Sequence, residues 1–314
     1  MVEATVVITT RNRREDLRRA VKSAVEQTAG VEVLVMDDAS TDGSADMVRK
    51  EFPGVKVHSS ADSAGYIVRR NSAASVAGSR FVFSLDDDAA FSSSGTVKQT
   101  IAEFDNCRIG AVAIPVINPR KGQVQPVSIS SVGGFSVVAA FVGTAYAVDR
   151  ELFLNTGGYR EDFFHQGEEE DFCIRMLAAG KVVRRGTADP IHHYESPSRD
   201  NERLDLYGRR NNVLFTWRNV PAPDIYLHMP GTLFNALKHG IRTRRPGPAL
   251  RGVFMGIRAC MSSPESRAPV SVETYRLWRY IRKRGLVKFE YVTEKLPELR
   301  APGSNTGSDS DHHV

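Results

Sequence analysis

Three adjacent carboxylates, Asp86-Asp87-Asp88, follow directly after an apolar run at residues 81–85. A short β-prone run before a polar break is typical of a buried strand, so the acids are predicted to lie at its carboxyl end. In open α/β sheets, this edge is where ligands bind. Because neighbouring carboxylates repel one another, a divalent cation that also contacts phosphate oxygens would offset the cost of gathering them. The sequence therefore predicts either a cation and phosphate site or an ordinary acidic loop.

The elements that would position these acids alternate along the chain. Strands are predicted at residues 5–9, 31–36 and 55–57, and the helices between the strands are predicted to stop at Gly30, at Pro53-Gly54 and at Gly78. Alternation of this kind indicates βαβ units. The predicted fold class is therefore α/β, with a doubly wound, mostly parallel sheet that carries helices on both faces.

Two large classes of nucleotide-binding protein are disfavoured by the turn after the first predicted strand. Residues 10–14 contain neither a Gly-x-Gly-x-x-Gly motif nor a Gly-x4-Gly-Lys-Ser/Thr motif. This counts against a dinucleotide-binding oxidoreductase and against a P-loop NTPase. The net charge of +5 does not by itself indicate nucleic acid, and no nucleic-acid partner is expected.

Composition and cysteine usage favour a globular intracellular protein. The chain has 314 residues, of which 41% are hydrophobic and 25% charged. Cys107, Cys173 and Cys260 are far apart and lack zinc-ligand spacing, so we interpret them as packing thiols in a reducing compartment. With no export-signal pattern at the start and no run of about 20 apolar residues, a cytoplasmic location is expected.

The pattern changes after about residue 110. Long β-prone runs cover residues 109–117 and 135–148, and the acids of residues 168–171 begin a predicted helix that ends at Gly180. Another helix is predicted at 203–218. We predict one domain over residues 1–220, with its halves divided near residue 110.

Beyond residue 220 the sequence predicts a helical C-terminal region over residues 221–300. Basic residues cluster at 242–245 and 279–284. Two interpretations stay open: a peripheral contact with an anionic membrane surface, or a solvated basic face on helices that pack against the main domain. The tail at 301–314 is rich in Gly, Ser and Asp and is predicted to be disordered.

Taken in order, these features resemble the inverting family-2 glycosyltransferases of the GT-A fold. The resemblance covers about residues 4–220. Its landmarks are the motifs at residues 6–13 and 35–43, Gly65 with Arg70-Asn71, Leu85-Asp86-Asp87-Asp88, Gly157-Gly158-Tyr159, residues 167–171 and His192-His193. The resemblance implies that residues 1–110 bind a nucleotide-sugar and that residues 111–220 bind the acceptor and carry the catalytic acid.

The resemblance also implies roles for the nucleotide pocket. Asp37 resembles the family's acid that accepts a hydrogen bond from the imide of uracil or thymine, so a UDP- or dTDP-sugar is expected. Asp38 would reach the ribose or hold the turn, and Thr10 and Arg11 would line the same pocket. The alternative for the Asp37-Asp38 pair is Asx-turn capping of the next helix.

A second group of residues would hold the diphosphate and a cation, Mn²⁺ or Mg²⁺. Arg70 resembles the family's basic residue near the diphosphate, although it could equally be part of a solvated face. Asp86 and Asp88 match the spacing of the Asp-x-Asp motif, with Asp88 as the direct ligand and Asp86 as a ribose or metal-water contact, while Asp87 is placed with the nucleotide. His192 or His193 resembles a further ligand. Because adjacent strand residues point to opposite faces, at most one of the two should serve.

The catalytic base departs from the family's usual pattern. The family commonly has Glu-Asp-x-Asp, with the first Asp as base, whereas Glu169 occupies that position here. Glu has similar basicity but a longer side chain. Asp171 would substitute as base or anchor the helix, and the alternative for the whole cluster is a set of acids that complements the helix dipole.

The expected function is metal-assisted displacement at the anomeric carbon of a nucleotide-sugar, moving a hexosyl or deoxyhexosyl group to a hydroxyl. The acceptor would be a polysaccharide, a lipid-linked glycan or a small molecule. The alternative is an inactive protein of the same fold that binds nucleotide-sugars or glycans. A nucleotidyltransferase is disfavoured because residues 10–14 lack a glycine-rich loop.

Overall fold

The computed structural model describes residues 2–119, 123–124, 134–194 and 200–299. The predicted disordered tail lies outside the described residues. The strands are β1 Ala4–Thr10, β2 Val31–Asp37, β3 Lys56–Ser59, β4 Phe81–Asp86, β5 Ala89–Phe91, β6 Ile109–Ala113, β7 Val116–Asn118, β8 Gln123–Val124, β9 Ser136–Val138, β10 Ala145–Asp149, β11 Val182–Arg185, β12 Ile191–His193 and β13 Val287–Lys288. The helices are α1 Arg14–Val25, α2 Ser44–Glu51, α3 Tyr66–Val76, α4 Thr96–Ala102, α5 Arg150–Asn155, α6 Glu168–Ala178, α7 Asn201–Asn219, α8 Ile225–Arg242, α9 Pro246–Ser262, α10 Val272–Arg284 and α11 Phe289–Thr293.

The main sheet confirms the predicted α/β class. Its described strands follow the order β13-β9-β11-β6-β10-β4-β1-β2-β3. Strands β3, β2, β1 and β4 are mutually parallel, as the alternation of strands and helices predicts. In the second half, β10 runs antiparallel to both β4 and β6, and β9 and β13 also pair antiparallel. Strand β11 pairs parallel with β6, so the second half of the sheet is mixed, whereas the described pairs of β1 to β4 in this sheet are all parallel.

Helices cover both faces of this sheet. On β1, Val6 and Ile8 point into the core that contains α1 and α2, whereas Val7 points into the core that contains α3, α5 and α6. This alternation follows from the two-residue period of a strand that is buried on both sides. Strand β1 is wholly buried.

Each of the two long β-prone runs is divided in the structure. The first breaks between β6 and β7, where Pro115 has no backbone N–H with which to continue a ladder. Strand β7 then joins a second, four-stranded sheet of order β5-β12-β7-β8. The second run breaks between β9 and β10, in a segment that contains Gly143. Both runs do contain strands, but a continuous apolar run does not show where a chain changes sheets.

The helical C-terminal region is present and shares a core with the main sheet. Tyr275, Trp278 and Ile281 of α10 are buried against residues of α6, α7 and β11. Strand β13 extends the main sheet beside β9. The last described residues are therefore part of the same folded unit.

Candidate active site

A cleft of about 590 Å³ opens at the carboxyl ends of β1 and β4. Its size is typical of small-ligand sites, and it lies at the sheet edge that the sequence indicates. Nine of the predicted site residues line it: Thr10, Arg11, Asp38, Arg70, Asp86, Asp87, Asp88, Glu169 and His193. The three other predicted residues, Asp37, Asp171 and His192, are not among the lining residues.

Asp87 joins the ends of the two central strands. Its carboxylate accepts a hydrogen bond of 2.9 Å from Thr10 Oγ1 and an ion-paired one of 3.2 Å from Arg13 Nη1. Burial raises the pKa of Asp87 to about 7, against the opposing charge of Arg13 and the hydrogen bond from Thr10. Asp87 therefore fixes the floor of the cleft.

Asp86, Asp88 and His193 form the candidate cation site. One ligand atom from each residue can be chosen so that all three lie within 4.8 Å of one another. Their two carboxylate oxygens suit Mg²⁺ and Mn²⁺, and the imidazole nitrogen favours Mn²⁺, because Mg²⁺ is held mainly through carboxylates and water. The donor set therefore fits the predicted cation.

The electrostatics around Asp88 keep that carboxylate ionised. Burial would raise its pKa, but the hydrogen bond and charge of His193, together with the charge of Arg13, outweigh burial and hold the pKa below its usual range. His193 Nε2 lies 3.1 Å from Asp88 Oδ1, and Arg13 Nη1 lies 2.7 Å from Asp88 Oδ2. An ionised Asp88 is the form that a cation requires.

The structure distinguishes the two adjacent histidines. His193 lines the cleft, whereas the ring of His192 packs edge-on against Tyr194, with 6.3 Å between ring centroids. Residues at successive positions of β12 point to opposite faces, as the sequence predicts. Of the two histidines, His193 is therefore the one that lies at the candidate cation site.

Arg70 links the aspartates to the helix that carries the candidate base. Its side chain is 5% exposed, and Nη2 donates a 2.6 Å hydrogen bond to Asp86 Oδ1. Nη1 lies 3.6 Å from Glu168 Oε1. The guanidinium also lies 4.8 Å above the ring of Tyr66. A cation this deeply buried is not part of a solvated helix face, which was the alternative for Arg70.

Glu168 and Glu169 begin α6 after Gly167, whose φ of 87° is accessible chiefly to glycine. Burial raises the pKa of Glu168, whose side chain is wholly enclosed. Burial, followed by the negative charge of Glu168, raises the pKa of Glu169 to about 8. Glu169 lines the cleft, so a carboxylate with raised proton affinity faces the space that ligands can enter.

Asp171 has a structural role. The side chain is fully buried, and its carboxylate accepts hydrogen bonds from Arg160, Arg175 and Asn219 at 2.8 to 3.0 Å. Asp171 therefore anchors α6, which is the second of the two roles that the sequence left open. Its placement as a catalytic residue is corrected, because its oxygens are committed to these donors inside the protein.

The nucleotide-base side differs from the expected arrangement. Asp37 accepts a hydrogen bond of 3.1 Å from the Ser40 amide, which is the Asx-turn alternative. Asp38 lines the cleft instead, and its carboxylate accepts from Ser63, from the amides of Ala64 and Gly65, and from Arg69 Nε. These donors outweigh burial and lower the pKa of Asp38. Asp38 therefore shapes the pocket by holding the loop before α3.

Several lining residues were not singled out from the sequence. Arg13 belongs to the first motif, so its pairing with Asp87 and Asp88 could have been suspected there. Gly143 gave no signal, yet a Cβ at this position would clash with Glu169 Oε1 and lie 2.9 Å from Arg70 Nη1. Gln166, at φ 67°, lies in the loop before α6.

The fold is that of a GT-A type protein. A mannosyltransferase from Pyrobaculum calidifontis, solved with GDP-Man and Mn²⁺, superposes with a TM-score of 0.56 at 18% identity, over 88% of this chain and 79% of that one. S. aureus TarS 1–349 in complex with UDP superposes with a TM-score of 0.57 at 16% identity, over 90% and 92% of the two chains. At these identities the likeness shows the fold alone.

The sequence identifies the family within that fold. The model of glycosyl transferase family 2 matches residues 5–176, more than half of the chain, and the protein belongs to this family. A curated relative, the pre-mycofactocin glycosyltransferase of Mycobacterium tuberculosis (strain CDC 1551 / Oshkosh), is 26% identical in an alignment of 199 positions that covers 58% of this chain. The match spans 40% of the length of that relative.

Proposed function

We propose that the chain transfers a sugar from a UDP- or dTDP-sugar to an acceptor hydroxyl, with inversion at the anomeric carbon. The observation that carries the proposal is that Glu169 and the group of Asp86, Asp88 and His193 face one cleft. A general base on one side and a diphosphate site on the other are the two requirements of direct displacement.

The donor side is built from the ends of β1 and β4. The nucleotide would lie over Thr10, Arg11 and Asp38, with the loop that Asp38 holds closing one wall. A divalent cation bound by Asp86, Asp88 and His193 would supply positive charge to the departing diphosphate. Arg70 holds Asp86 in place and adds a fixed positive charge beside the same group.

The acceptor side is Glu169. Its carboxylate removes the proton of the incoming hydroxyl as the oxygen attacks the anomeric carbon, while the bond from that carbon to the diphosphate oxygen breaks. A base whose pKa is about 8 holds the proton well in the transition state and can still be ionised near neutral pH. The neighbouring Gly143 leaves room for the side chain. The acceptor class proposed is a glycan, a lipid-linked glycan or a small molecule.

A thermal-shift screen tests the donor. UDP or dTDP at about 100 times its Kd should stabilise the chain by ~2.7 kcal/mol. For 314 residues, an unfolding entropy of ~2.1 cal/mol/K per residue makes this a rise of about 4 °C in Tm. The rise should require Mn²⁺ or Mg²⁺. No cation-dependent response to either pyrimidine nucleotide would refute the proposed donor.

A transfer assay separates the enzyme from an inactive binding protein. Release of UDP or dTDP from the nucleotide-sugar, slowly to water and faster with an acceptor, is expected from the intact chain and not from Glu169→Gln. Cation-dependent nucleotide binding with no release in either protein would favour the inactive alternative.

A further inference from the structure

The antiparallel helices α8 and α9, here called the α8–α9 hairpin, carry their large apolar side chains on the outside. On α8, Leu227 is 83% exposed and Phe234 is 65% exposed. On α9, Phe254 is 67% exposed and Met261 is 77% exposed. Residues of these types are ordinarily buried in a water-soluble protein, so an exposed set needs an explanation.

The exposed apolar side chains form one stripe on each helix. The stripe of α8 consists of Tyr226, Leu227, Phe234, Leu237 and Ile241, and that of α9 consists of Leu250, Phe254, Ile257 and Met261. At 3.6 residues per turn, the first set spans an arc of about 100° and the second an arc of about 60°. Each helix therefore presents a continuous apolar face.

Both helices carry glycines where they approach neighbouring helices most closely. A Cβ at Gly256 would lie 2.8 Å from the Arg210 carbonyl oxygen of α7, and one at Gly252 would clash with the carbonyl oxygen of Leu206. A Cβ at Gly240 of α8 would likewise lie 2.9 Å from the Cα of Pro246 in α9. The hairpin thus has glycines at its closest helix contacts, with Met229, Leu233 and Val253 also packed inward, while a second set of large apolar residues remains outside.

Charge borders these apolar stripes with one sign. Between Asp224 and Glu265 the sequence contains no Asp or Glu. Lys238, Arg242, Arg251 and Arg258 are exposed, and each lies within about 60° of the edge of its stripe. Arg245 is not counted among them, because it pairs with Asp205 of α7 at 2.6 Å. An apolar face flanked only by cations is complementary to an anionic lipid surface.

We propose that the α8–α9 hairpin lies in the interface of an anionic lipid bilayer, with its two apolar stripes among the acyl chains and its basic side chains at the headgroups. Among the described residues, no helix is long and apolar enough to cross a membrane. This inference selects the first of the two interpretations that the sequence left open, and it does so on the exposed apolar faces, which the basic clusters alone do not reveal.

Helix α7 connects this surface to the cleft. Arg203 and Leu204, in its first turn, line the cleft, while Leu206 and Arg210 of the same helix contact α9. From Leu204 to Arg210 a helix rises only about 9 Å. The proposed lipid surface would thus lie beside the acceptor side of the cleft, which favours an acceptor held at the bilayer. This last step rests on the proposed function, whereas the lipid contact does not.

Co-sedimentation of the full chain with vesicles tests the proposal. The protein should pellet with phosphatidylcholine vesicles that contain roughly one third phosphatidylglycerol, and about tenfold less with phosphatidylcholine alone. Binding should weaken at ~0.5 M salt but persist in part, because the apolar contact is not screened. Equal binding to neutral and anionic vesicles, or none to either, would overturn the proposal.

Matched variants locate the contact. The triple change Leu227→Asn, Phe234→Asn and Phe254→Asn should lower vesicle binding at least about tenfold while Tm is retained, because these side chains make no core contacts. The control is Val25→Asn with Val76→Asn, which are 43% and 53% exposed on other helices and should bind as the parent does. Unchanged binding of the triple variant would refute the assignment.

Light scattering after size-exclusion chromatography tests whether a second copy of the chain, rather than lipid, covers the apolar stripes. The proposal expects a monomer in detergent at low concentration. If the parent forms a stable dimer without lipid and the triple variant is monomeric, a second copy of the chain covers the stripes. The lipid proposal would then be wrong. Failure of nucleotide binding, by contrast, would leave vesicle binding unaffected and would refute the proposed function alone.

Discussion

Replacing Glu169 by Gln should make the protein more stable at alkaline pH, and the sign follows from linkage. Burial and Glu168 raise the pKa of Glu169 from 4.5 to about 8 in the folded state. Between these values the unfolded chain loses the proton that the folded chain keeps. Stability is therefore present in full below about pH 4.5 and is lost as pH rises through about 8. Gln carries no proton to lose, so its stability is free of this dependence.

The magnitude can be worked from the same shift. Between pH 6 and the folded pKa of about 8, the parent passes through about 2 pH units. At ~1.36 kcal/mol per unit, it loses ~2.7 kcal/mol of unfolding free energy over this range. The Glu169 carboxylate borders a cleft that water enters. Solvation of the ionised carboxylate there offsets about half of this loss of stability, so about 1.4 kcal/mol remains. With ~2.1 cal/mol/K per residue over 314 residues, this corresponds to about 2 °C. The gap in Tm between Glu169→Gln and the parent should widen by about 2 °C from pH 6 to pH 9.

Scanning fluorimetry at both pH values measures the gap, and Glu170→Gln is the matched control. Glu170 is the next residue of the same helix turn, but its Oε1 faces Arg282 at 3.0 Å outside the cleft. In parallel, turnover of the parent should rise with pH to a plateau above about 8, since the base works when ionised, and Glu169→Gln should bind nucleotide without turnover. A Tm gap that does not change with pH, together with retained turnover in Glu169→Gln, would refute the role of this residue.

Three further predictions concern the cleft and the anchoring of α6. His193→Ala should weaken cation-dependent nucleotide binding about tenfold by calorimetry, whereas His192→Ala, on the other face of β12, should not; equal losses would contradict the assignment. Gly143→Ala should lower kcat about ten- to hundredfold while Tm changes little, because its Cβ would displace the Glu169 carboxylate; unchanged kcat would show that the carboxylate has room elsewhere. Asp171→Asn should cost about 3 kcal/mol in denaturant titrations, since Arg160 and Arg175 lose a buried partner, and a loss below ~1 kcal/mol would contradict its anchoring role.

The positions of the site loops could be predicted because the sequence shows where the strands end. An apolar run that stops at an acid marks both a strand and its edge, and the register Thr10 beside Asp37 brings the first two motifs together. The same two-residue period correctly predicts that only one of His192 and His193 can face the cleft. These features depend on local periodicity, which the sequence displays directly.

The roles of individual acids within a motif could not be predicted in the same way. Whether Asp37 or Asp38 faces the cleft depends on the turn after β2, where Ala39 adopts a φ of 62° and the Ser40 amide captures Asp37. Asp171 looked like a second candidate base because its donors, Arg160 and Asn219, are distant in sequence. The α8–α9 hairpin posed a different difficulty, because both of its faces are apolar and periodicity does not show which one packs inward.

The distribution of cations distinguishes Glu169, whose pKa is raised to about 8, from the other carboxyl groups near the cleft. Arg13 pairs with Asp87 and Asp88, and Arg70 pairs with Asp86 and Glu168. Among the described residues, no ion pair joins Glu169 to a cation. Placing a cation beside Glu169 would lower its pKa and weaken it as a base, whereas removing Arg70 would leave Asp86 and Glu168 unpaired. The arrangement thus gives Asp86, Asp87 and Asp88 cationic partners on the donor side and leaves Glu169, among the described residues, without an ion pair on the acceptor side, which suits it as the base of the proposed displacement.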